Sequence, residues 1–518
     1  MVGTRSDRES RRLIRGGRLR EGAADRPSEP VDVRLRGGRI AEIRSAGTLV
    51  PSADEIVHDA HGRLVMPGLV NAHFHSTGTF NRAFVDNLPL ELFMLFELPP
   101  FDFGPFPGEL YRAQAQWAAA QMLRVGVTSV MDDAMFYPGP DDDTIDALMG
   151  AYDDSGIRAS VALYLPNKVE YEWIPGLREL LPDDVVERMG EQSASTDDLV
   201  GLYERFIERW HGRDGGRLGC ALSCSAPQRA TDDYMARLHR LSSERRLPFM
   251  FHIYETKLQR AAADSFFGGS MVRHLRKLGI LAERSVVVHA VWVDDEDIRD
   301  LAECGAVVVH SPCGNLRCGS GVMPYRALRD AGVRVALCTD EATVEDRCNL
   351  WQVGRVAGML QTAGGPDYTA WPRAAEIVDA MTAEGGRCFG TDGELGVLRE
   401  GAHADVILLD LDAVLEMPLA RLPTALVYGE DGSSVRDVFV AGRHVVRDGT
   451  VTTIDPERLR RDVAQWAGVW ADSVEPVERW AARLLPAYRE LHERFANLDI
   501  GINRWVGDEG RWLAAGPR

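Results

Sequence analysis

The chain has 518 residues and a formal net charge of −19, from 59 Lys and Arg against 78 Asp and Glu. This charge argues against nucleic acid and anionic membrane surfaces as partners. Hydrophobic residues make up 45% of the chain and charged residues 26%, the composition of an ordinary globular protein with room for a large core.

The cysteines and apolar runs predict a cytoplasmic protein. The eight cysteines lie mostly inside apolar runs and none forms a Cys-x-x-Cys pair, so we expect reduced thiols in the core. No apolar run approaches the roughly 20 residues of a membrane span. The basic start, Met1 to Arg12, is not followed by an apolar signal core.

The first predicted elements are short strands, Arg12–Leu19 and Val31–Arg44. A Gly37-Gly38 turn divides the second run into a hairpin, which predicts a small sheet in this part of the chain.

From Gly68 onward, apolar strand-like runs alternate with amphipathic helical stretches. Eight such runs, each followed by a helical stretch, predict a (β/α)8 TIM-type barrel. The runs are Leu69–His75, Val127–Asp132, Arg158–Leu165, Gly219–Ser225, Phe249–Tyr254, Ser285–Val293, Ala306–Ser311 and Val333–Asp340.

Two insertions follow barrel strands, at 86–107 and from Pro166 to about Asp198. Because each comes after the C-terminal end of a strand, we expect both to overhang the active-site mouth. They contain aromatic residues that would either form a lid over an aromatic substrate or pack against the barrel. These residues are Phe93, Phe96, Phe101, Phe103 and Trp173.

Strand patterns return after the barrel, in Asp405–Asp410, Val435–Ala441 and Arg443–Val446, and we expect them to join the N-terminal strands in a composite β-sandwich. The stretch 455–497 is helical in pattern, and its tryptophans should dock on the barrel. The predicted division is residues 1–67 and 393–454 for the sandwich, 68–392 for the barrel and 455–518 for a C-terminal helical extension.

Four residues at predicted strand ends point to a metal site. His73 and His75 lie two residues apart on the first strand, so both face the barrel axis. A pair of structural core histidines is the alternative, yet an apolar strand rarely buries two imidazoles without a common partner. His252 lies near the end of the fifth strand, and Asp340 is the last residue of the eighth. Three histidines and one aspartate suit a Zn- or Fe-type divalent ion that leaves a position for water, which predicts hydrolytic chemistry.

The ordered motifs resemble the amidohydrolase superfamily, in the branch of cytosine and guanine deaminases and triazine chlorohydrolases. The resemblance covers roughly residues 12–450. The matching segments are Pro67-Gly68-Leu69-Val70-Asn71-Ala72-His73-Phe74-His75, His252-Ile253-Tyr254-Glu255, His289-Ala290-Val291-Trp292, His310-Ser311-Pro312-Cys313-Gly314-Asn315-Leu316, Thr339-Asp340 and the stretch from Gly396 to Asp405.

This resemblance implies a role for each matched residue. His73, His75, His252 and Asp340 are implied as metal ligands, with Asp340 also taking a proton from water. His289 is implied to position the hydrolytic water and Glu255 to shuttle the proton to the leaving nitrogen. The bridging lysine of two-metal relatives is missing from the fourth strand, so we expect one ion, Zn first and Fe or Mn as alternatives.

Cys224 and His310, on other predicted barrel strands, are not predicted to be metal ligands. Cys224 on the fourth strand is interpreted as a core thiol rather than an extra ligand. His310 is interpreted as a structural or pocket residue.

The substrate-binding residues are predicted less directly. Gln228 and Arg229 stand where many nucleoside aminohydrolases have a histidine, which argues against adenosine-like substrates and favours a carboxylate or ring carbonyl. Trp292 and Phe101 are further predicted substrate contacts. Glu341 follows Asp340 where relatives often have glycine, and it is either a carboxylate near the metal or a solvated loop charge.

The leading hypothesis is a metal-dependent hydrolase of non-peptide C–N bonds, most simply an aminohydrolase of a heterocyclic or aromatic small molecule. Amide hydrolysis that releases an amine or amino acid is the alternative, and the two differ in whether ammonia or an organic amine is produced. Dechlorination and a non-catalytic barrel scaffold rank lower, and metal content with turnover would exclude the scaffold. The resemblance also implies a homo-oligomer, a dimer or larger.

Overall fold

The N-terminal strands confirm the predicted hairpin and add two strands to it. The structure, a computed structural model, describes residues 11–20, 22–100, 103–190, 194–391 and 393–506. Gly37 and Gly38 form the hairpin turn with φ of 58° and 73°, values that glycine adopts without strain. The sequence pattern missed β4 because its four residues are largely exposed and show no apolar alternation. The strands are β1 Arg12–Leu19, β2 Pro30–Arg36, β3 Arg39–Ser45, β4 Ile56–Asp59 and β5 Arg63–Pro67.

The predicted barrel is confirmed, with its fourth and eighth strands each broken into two pieces. The strands are β6 Leu69–His75, β7 Val127–Ala134, β8 Arg158–Leu163, β9 Leu218–Cys220, β10 Leu222–Ser223, β11 Phe249–Ile253, β12 Ser285–His289, β13 Val307–His310, β14 Arg334–Leu337 and β15 Asp340–Glu341. All pair in parallel, in the orders β15-β6-β7-β8-β9 and β10-β11-β12-β13-β14. The pieces of strand four and of strand eight join these two sheets, so the barrel closes.

A sheet made from both ends of the chain lies beside the barrel. The remaining strands are β16 Val406–Asp410, β17 Val435–Val440, β18 Arg443–Arg447 and β19 Thr450–Val451. Antiparallel pairing of β16 with β5, and parallel pairing of β5 with β1, joins the C-terminal strands to the N-terminal ones. Ile14, Val33, Leu408 and Phe439 pack in the apolar core of this sheet. This confirms the composite β-sandwich, whereas the proposed domain boundaries stay a prediction.

Helices follow the barrel strands as the alternation predicted. The longer ones are Gly108–Arg124, Asp142–Ser155, Asp183–Gly190, Thr196–Trp210, Asp232–Arg245, Lys257–Phe267, Asp295–Cys304 and Leu350–Leu360. Shorter ones are Leu90–Phe93, Leu177–Leu180, Arg213–Gly216, Met271–Lys277, Pro312–Arg317, Tyr325–Asp330, Ala342–Glu345, Ala374–Ala380, Ala383–Arg387, Leu411–Val414 and Leu422–Tyr428. Two helices, Pro456–Ala471 and Val474–Ala496, end the described chain. In the part of the chain that is described, none of these helices is long and apolar enough to span a membrane.

A second apolar core lies over the barrel mouth, separate from the main core. Leu92 and Leu95 from the first insertion pack there with Leu177 and Val185 from the second. Helix Val474–Ala496 contributes the remaining face, with Trp480, Leu484, Leu491 and Phe495. We call these three segments the lid: 90–96, 177–190 and 474–496. The C-terminal helix therefore docks mainly on the insertions.

Candidate metal centre and substrate cavity

Three imidazoles meet at the mouth of the barrel. His73 Nε2 lies 3.1 Å from His75 Nε2 and 3.2 Å from His252 Nε2. Two nitrogens bound tetrahedrally to one Zn-type ion, each at about 2.05 Å, would be about 3.3 Å apart. The spacing therefore fits three ligands of a common ion. Burial and the neighbouring imidazoles hold the pKa of His73 and of His252 well below the ordinary value, so both rings offer lone pairs.

The other ring nitrogen of two of these histidines is anchored to backbone. His75 Nδ1 lies 2.6 Å from the carbonyl oxygen of Asp133, and His252 Nδ1 lies 2.8 Å from that of Ser225. A carbonyl only accepts, so each Nδ1 must carry the proton and donate it. This leaves Nε2 unprotonated and aimed at the common point, the arrangement that metal-binding histidines require.

Asp340 is the fourth group at this point. Its Oδ1 lies 3.6 Å from His73 Nε2 and 3.8 Å from His75 Nε2. Ser311 Oγ donates to Asp340 Oδ2 over 2.9 Å, and the Glu341 backbone N–H donates to Oδ1 over 2.9 Å, which fixes the carboxylate. The chemistry of the set, three imidazoles and one carboxylate, fits a divalent transition ion.

Strained backbone marks the strand ends around this point. Tyr254, His289 and Asp340 have φ of 54°, 74° and 59°, in the left-handed region that non-glycine residues rarely adopt. Such strain persists only where the surroundings impose it, and it concentrates at functional sites. The turns that it produces direct the side chains of strands six and eight into the cavity.

Glu255 and His289 form a second group beside the first. His289 Nε2 lies 3.3 Å from Glu255 Oε2 and 4.0 Å from Asp340 Oδ2. Its Nδ1 lies 3.0 Å from Asn315 Oδ1, so the ring donates there and presents an unprotonated Nε2 to the cavity. Burial, and then the charge of Asp340, raise the pKa of Glu255 well above its usual value. Groups that accept and release protons therefore lie next to the candidate metal position.

Glu341 is a cavity carboxylate rather than a solvated loop charge. It is 4% exposed and accepts a 2.9 Å hydrogen bond from Thr343 Oγ1. Its carboxyl group also meets that of Glu97 from the first insertion, and burial together with this neighbour raises the pKa of Glu341. Gly78 leaves room for it, since a Cβ at that position would overlap Glu341 Oε1.

The cavity above these groups opens to solvent, measures about 1020 Å³ including that opening, and is lined by both insertions. Phe93 and Trp173 lie on its wall, which confirms that the insertions overhang the mouth. Gln228 and Arg229, predicted to contact substrate, also line it. The Arg229 guanidinium lies 4.5 Å from the Trp173 ring centre and donates to Ser225 Oγ over 3.1 Å and to Tyr164 Oη.

Trp292 is not at the position that the sequence predicted. It is fully buried in the core, its Nε1 donates to the Ser320 carbonyl oxygen over 2.7 Å, and its ring packs edge-on against Trp505. The left-handed turn at His289 and Ala290 sends the following residues away from the cavity. The prediction for Phe101 lies outside the described residues.

Cys224 and His310 agree with the structural roles that the sequence suggested, whereas Glu170 and Tyr488 were not predicted. Cys224 packs in the main apolar core. His310 is fully buried, burial lowers its pKa to about 3, and among the described residues neither ring nitrogen has a hydrogen-bond partner. Glu170 and Tyr488 line the cavity and were not singled out in the sequence, because they lie in an insertion and in the C-terminal extension, without a recognisable motif.

Comparison with known proteins agrees with this geometry. The profile of the Amidohydrolase family matches residues 64–445. The chain is 28% identical over 425 residues to the 5′-deoxyadenosine deaminase of Methanosarcina mazei, covering 82% of this chain and 90% of the relative.

Two solved structures share the fold. Zinc-complexed atrazine chlorohydrolase from Arthrobacter aurescens superimposes with a TM-score of 0.78 at 25% identity, over 88% of this chain and 100% of that one. An adenosine deaminase from Xanthomonas campestris with bound zinc gives a TM-score of 0.76 at 25% identity, over 90% and 98% of the two chains.

Proposed function

The chain belongs to the amidohydrolase family, and we propose that it is an aminohydrolase, which replaces an amino group on a heterocycle by a hydroxyl group and releases ammonia. As a member of this family it is a metal-dependent hydrolase of C–N bonds other than peptide bonds, acting on a small molecule. The observation that carries the proposal is the convergence of His73, His75, His252 and Asp340 beside Glu255 and His289 in one cavity.

The metal would be held by Nε2 of the three histidines and by Asp340. We propose zinc, because two neighbouring structures contain it. A divalent ion at such a site lowers the pKa of bound water toward about 7 and so supplies a nucleophile near neutral pH. Elemental analysis of the purified protein tests the identity and number of the ions, with one per chain expected.

The side chains around the metal position account for both proton transfers. His289 presents an unprotonated Nε2 that accepts a hydrogen bond from the attacking water and orients it. Asp340 accepts a proton from that water at its carboxylate. Glu255, 3.3 Å from His289, delivers a proton to the leaving amino nitrogen. The ring carbon thus gains OH from water, and the amino group leaves with the remaining hydrogen as ammonia.

A panel of substrates tests the reaction. Zinc-loaded protein is incubated with 5′-deoxyadenosine, adenosine, cytosine, guanine and aryl amides, and products are followed by mass spectrometry and an ammonia assay. Deamination raises the substrate mass by about 1 Da when NH₂ becomes OH. Turnover of the adenine nucleosides would also overturn the expectation, based on Gln228 and Arg229, that such substrates are excluded.

Amide hydrolysis is the second candidate, because Arg229 offers a guanidinium on the cavity wall that could hold a carboxylate of the leaving group. Release of an organic amine or amino acid without ammonia would favour it over deamination. Loss of chloride from chlorinated heterocycles would instead indicate the reaction named for the Arthrobacter neighbour. A homo-oligomer remains a prediction, tested by light scattering after gel filtration.

A further inference from the structure

The helix Val474–Ala496, beyond the segment matched by the family profile, forms part of the cavity wall. Tyr488 lies on this helix, is 4% exposed and lines the cavity that contains His252 and Asp340. Its hydroxyl donates to Glu170 Oε1 over 2.6 Å. Glu170 belongs to the second insertion and lines the same cavity. Two segments far apart in the chain thus meet at one buried hydrogen bond inside the pocket.

Several contacts fix this helix over the mouth. Glu91 of the first insertion accepts a 2.6 Å hydrogen bond from Thr256 Oγ1, and its other oxygen lies 3.4 Å from His492 Nδ1 on the helix. Lys257 Nζ donates over 3.0 Å to the carbonyl oxygen of Ala496 at the end of the helix. Because Thr256 and Lys257 directly follow Glu255, the helix is tied to the chain segment that carries a proposed catalytic carboxylate.

The direction of the hydrogen bond determines what this wall can recognise. Tyr488 has one hydroxyl hydrogen, which it donates to Glu170. The remaining lone pairs of the tyrosine oxygen and of the carboxylate are acceptors. Leu90 and Ile174 line the same cavity and offer no polar atom, and the indole N–H of Trp173 already donates to the carbonyl oxygen of Lys168 over 3.1 Å. A ligand that reaches this wall therefore satisfies it best with an O–H or N–H donor.

We propose that Glu170 and Tyr488 are specificity-determining residues that accept hydrogen bonds from a hydroxyl or amine on the part of the substrate that does not react. Neither residue belongs to the two groups around the candidate metal position, so we assign their contacts to a part of the substrate away from that position. The proposal rests on the proposed function, because it assigns the wall to the substrate of that reaction. The C-terminal extension is then part of the substrate site.

The test compares two probes that share the adenine ring. 5′-Deoxyadenosine carries two sugar hydroxyl donors and 2′,3′,5′-trideoxyadenosine carries none. Ammonia release gives kcat and KM for zinc-loaded protein, and calorimetry on the Glu255→Gln protein measures binding without turnover. We expect the hydroxylated probe to be favoured at least about 10-fold in kcat/KM, since hydrogen bonds to charged groups contribute about 1.5–3 kcal/mol.

Two variants separate a direct contact from a structural role. Glu170→Gln places an amide donor where the carboxylate accepted, and it should reduce the preference about 10-fold through KM. Tyr488→Phe removes the phenol oxygen that would accept the substrate's hydrogen bond, and it also removes the partner of Glu170. It should reduce the preference several-fold. In both variants, the loss of kcat/KM should be smaller for the trideoxy probe, which offers no sugar hydroxyl to these two residues. Tyr171→Phe, the same substitution in the same insertion, should keep the full preference, because Tyr171 packs in the lid core.

The outcomes distinguish the wall from the reaction. If wild type, Glu170→Gln and Tyr488→Phe all release ammonia with the same probe preference, Glu170 and Tyr488 do not determine specificity. Deamination itself is then still supported. If the wild type prefers to bind the hydroxylated probe but releases no ammonia, and Glu170→Gln loses this preference, deamination of these probes is refuted. The role of Glu170 in binding is then supported. A wild-type protein that neither binds nor converts the two probes overturns the assignment of this wall to a sugar hydroxyl, and the substrate panel then decides on deamination separately. Equal melting temperatures of the variants and wild type are required for either interpretation.

Discussion

The two ends of the barrel differ in how their buried polar side chains are paired. At the N-terminal end, Arg158 donates to both oxygens of Asp405 over 2.6 and 3.0 Å, and Arg217 donates to the carbonyls of Tyr152 and Ile157. Both guanidinium groups therefore have partners in the protein. At the C-terminal end, imidazoles face imidazoles and the carboxyl of Glu97 faces that of Glu341. Such facing of like groups fits the metal ion and substrate that we propose for this end.

This contrast indicates that the N-terminal end contributes mainly to stability and the C-terminal end to activity. Barrel enzymes place chemistry at the C-terminal ends of strands and stability at the N-terminal ends. Substitutions at the mouth should therefore change metal content or turnover, and those at the opposite end should change the free energy of unfolding.

Removing a metal ligand should have the largest effect. His252→Ala or Asp340→Ala deletes one of the groups that converge on the ion position, so tight metal retention and activity should both be lost. Elemental analysis after dialysis and the ammonia assay measure the two losses. His274→Ala is the matched control, because His274 pairs with Asp232 on a distant helix. A variant at His252 that keeps a full equivalent of metal would refute the assignment.

Replacing Glu255 should separate metal binding from turnover at the same end. Glu255→Gln keeps the size of the side chain but cannot carry the proton, so kcat should fall about 10²- to 10⁴-fold while the metal stays bound. Elemental analysis and steady-state kinetics measure the two quantities. Glu244→Gln, on an exposed position of helix Asp232–Arg245, is the control for the charge change. Full activity of Glu255→Gln would reject the proton-shuttle role.

The opposite end should respond in stability alone. Asp405→Asn leaves Arg158 buried without its counter-charge, which should lower the free energy of unfolding by about 3 kcal/mol. Metal content and kcat of the folded protein should be unchanged. Urea unfolding measures the loss, and Asp197→Asn, which breaks an exposed pair with Arg237, should cost less than about 1 kcal/mol. A comparable loss of turnover in Asp405→Asn would break the separation.

The pH dependence of the same pair has a definite sign. Burial alone would raise the pKa of Asp405, but the charge and hydrogen bonds of Arg158 hold it below the ordinary value. A carboxyl with a lowered folded-state pKa stabilises the protein above its unfolded pKa, about 3.9, and loses this as pH falls. The stability difference between wild type and Asp405→Asn should therefore be constant near neutral pH and shrink below about pH 4.

The sequence predicted the mouth well because its signals are local. The two-residue period of an apolar strand places His73 and His75 on one face, and His252, His289 and Asp340 each lie in the C-terminal half of a predicted strand. The prediction for Trp292 was wrong because it assumed that the strand direction continued past His289, where the backbone turns left-handed. That turn depends on tertiary hydrogen bonds, such as those from the backbone N–H groups of Val291 and Trp292 to the Tyr254 carbonyl.

The lid could not be predicted in the same way. Its core joins the two insertions to the C-terminal helix, and Tyr488 meets Glu170 across 318 positions of sequence. Each helix shows only an amphipathic pattern, which indicates that a face is buried but not against what. The sequence predicted that the tryptophans of 455–497 dock on the barrel. Trp470 packs in the main core, whereas Trp480 packs against the two insertions.

The smallest effect expected at the mouth comes from the residue that holds His289. Asn315 Oδ1 accepts from His289 Nδ1 over 3.0 Å, so it determines which ring nitrogen faces the cavity. Asn315→Ala should lower kcat about 10-fold, the range for residues that orient an active-site histidine, and leave metal content intact. Asn315→Asp retains an acceptor oxygen and should recover most of the rate. His289 Nε2 lies 4.0 Å from Asp340 Oδ2 and is not assigned as a metal ligand. Loss of metal in Asn315→Ala would contradict this assignment.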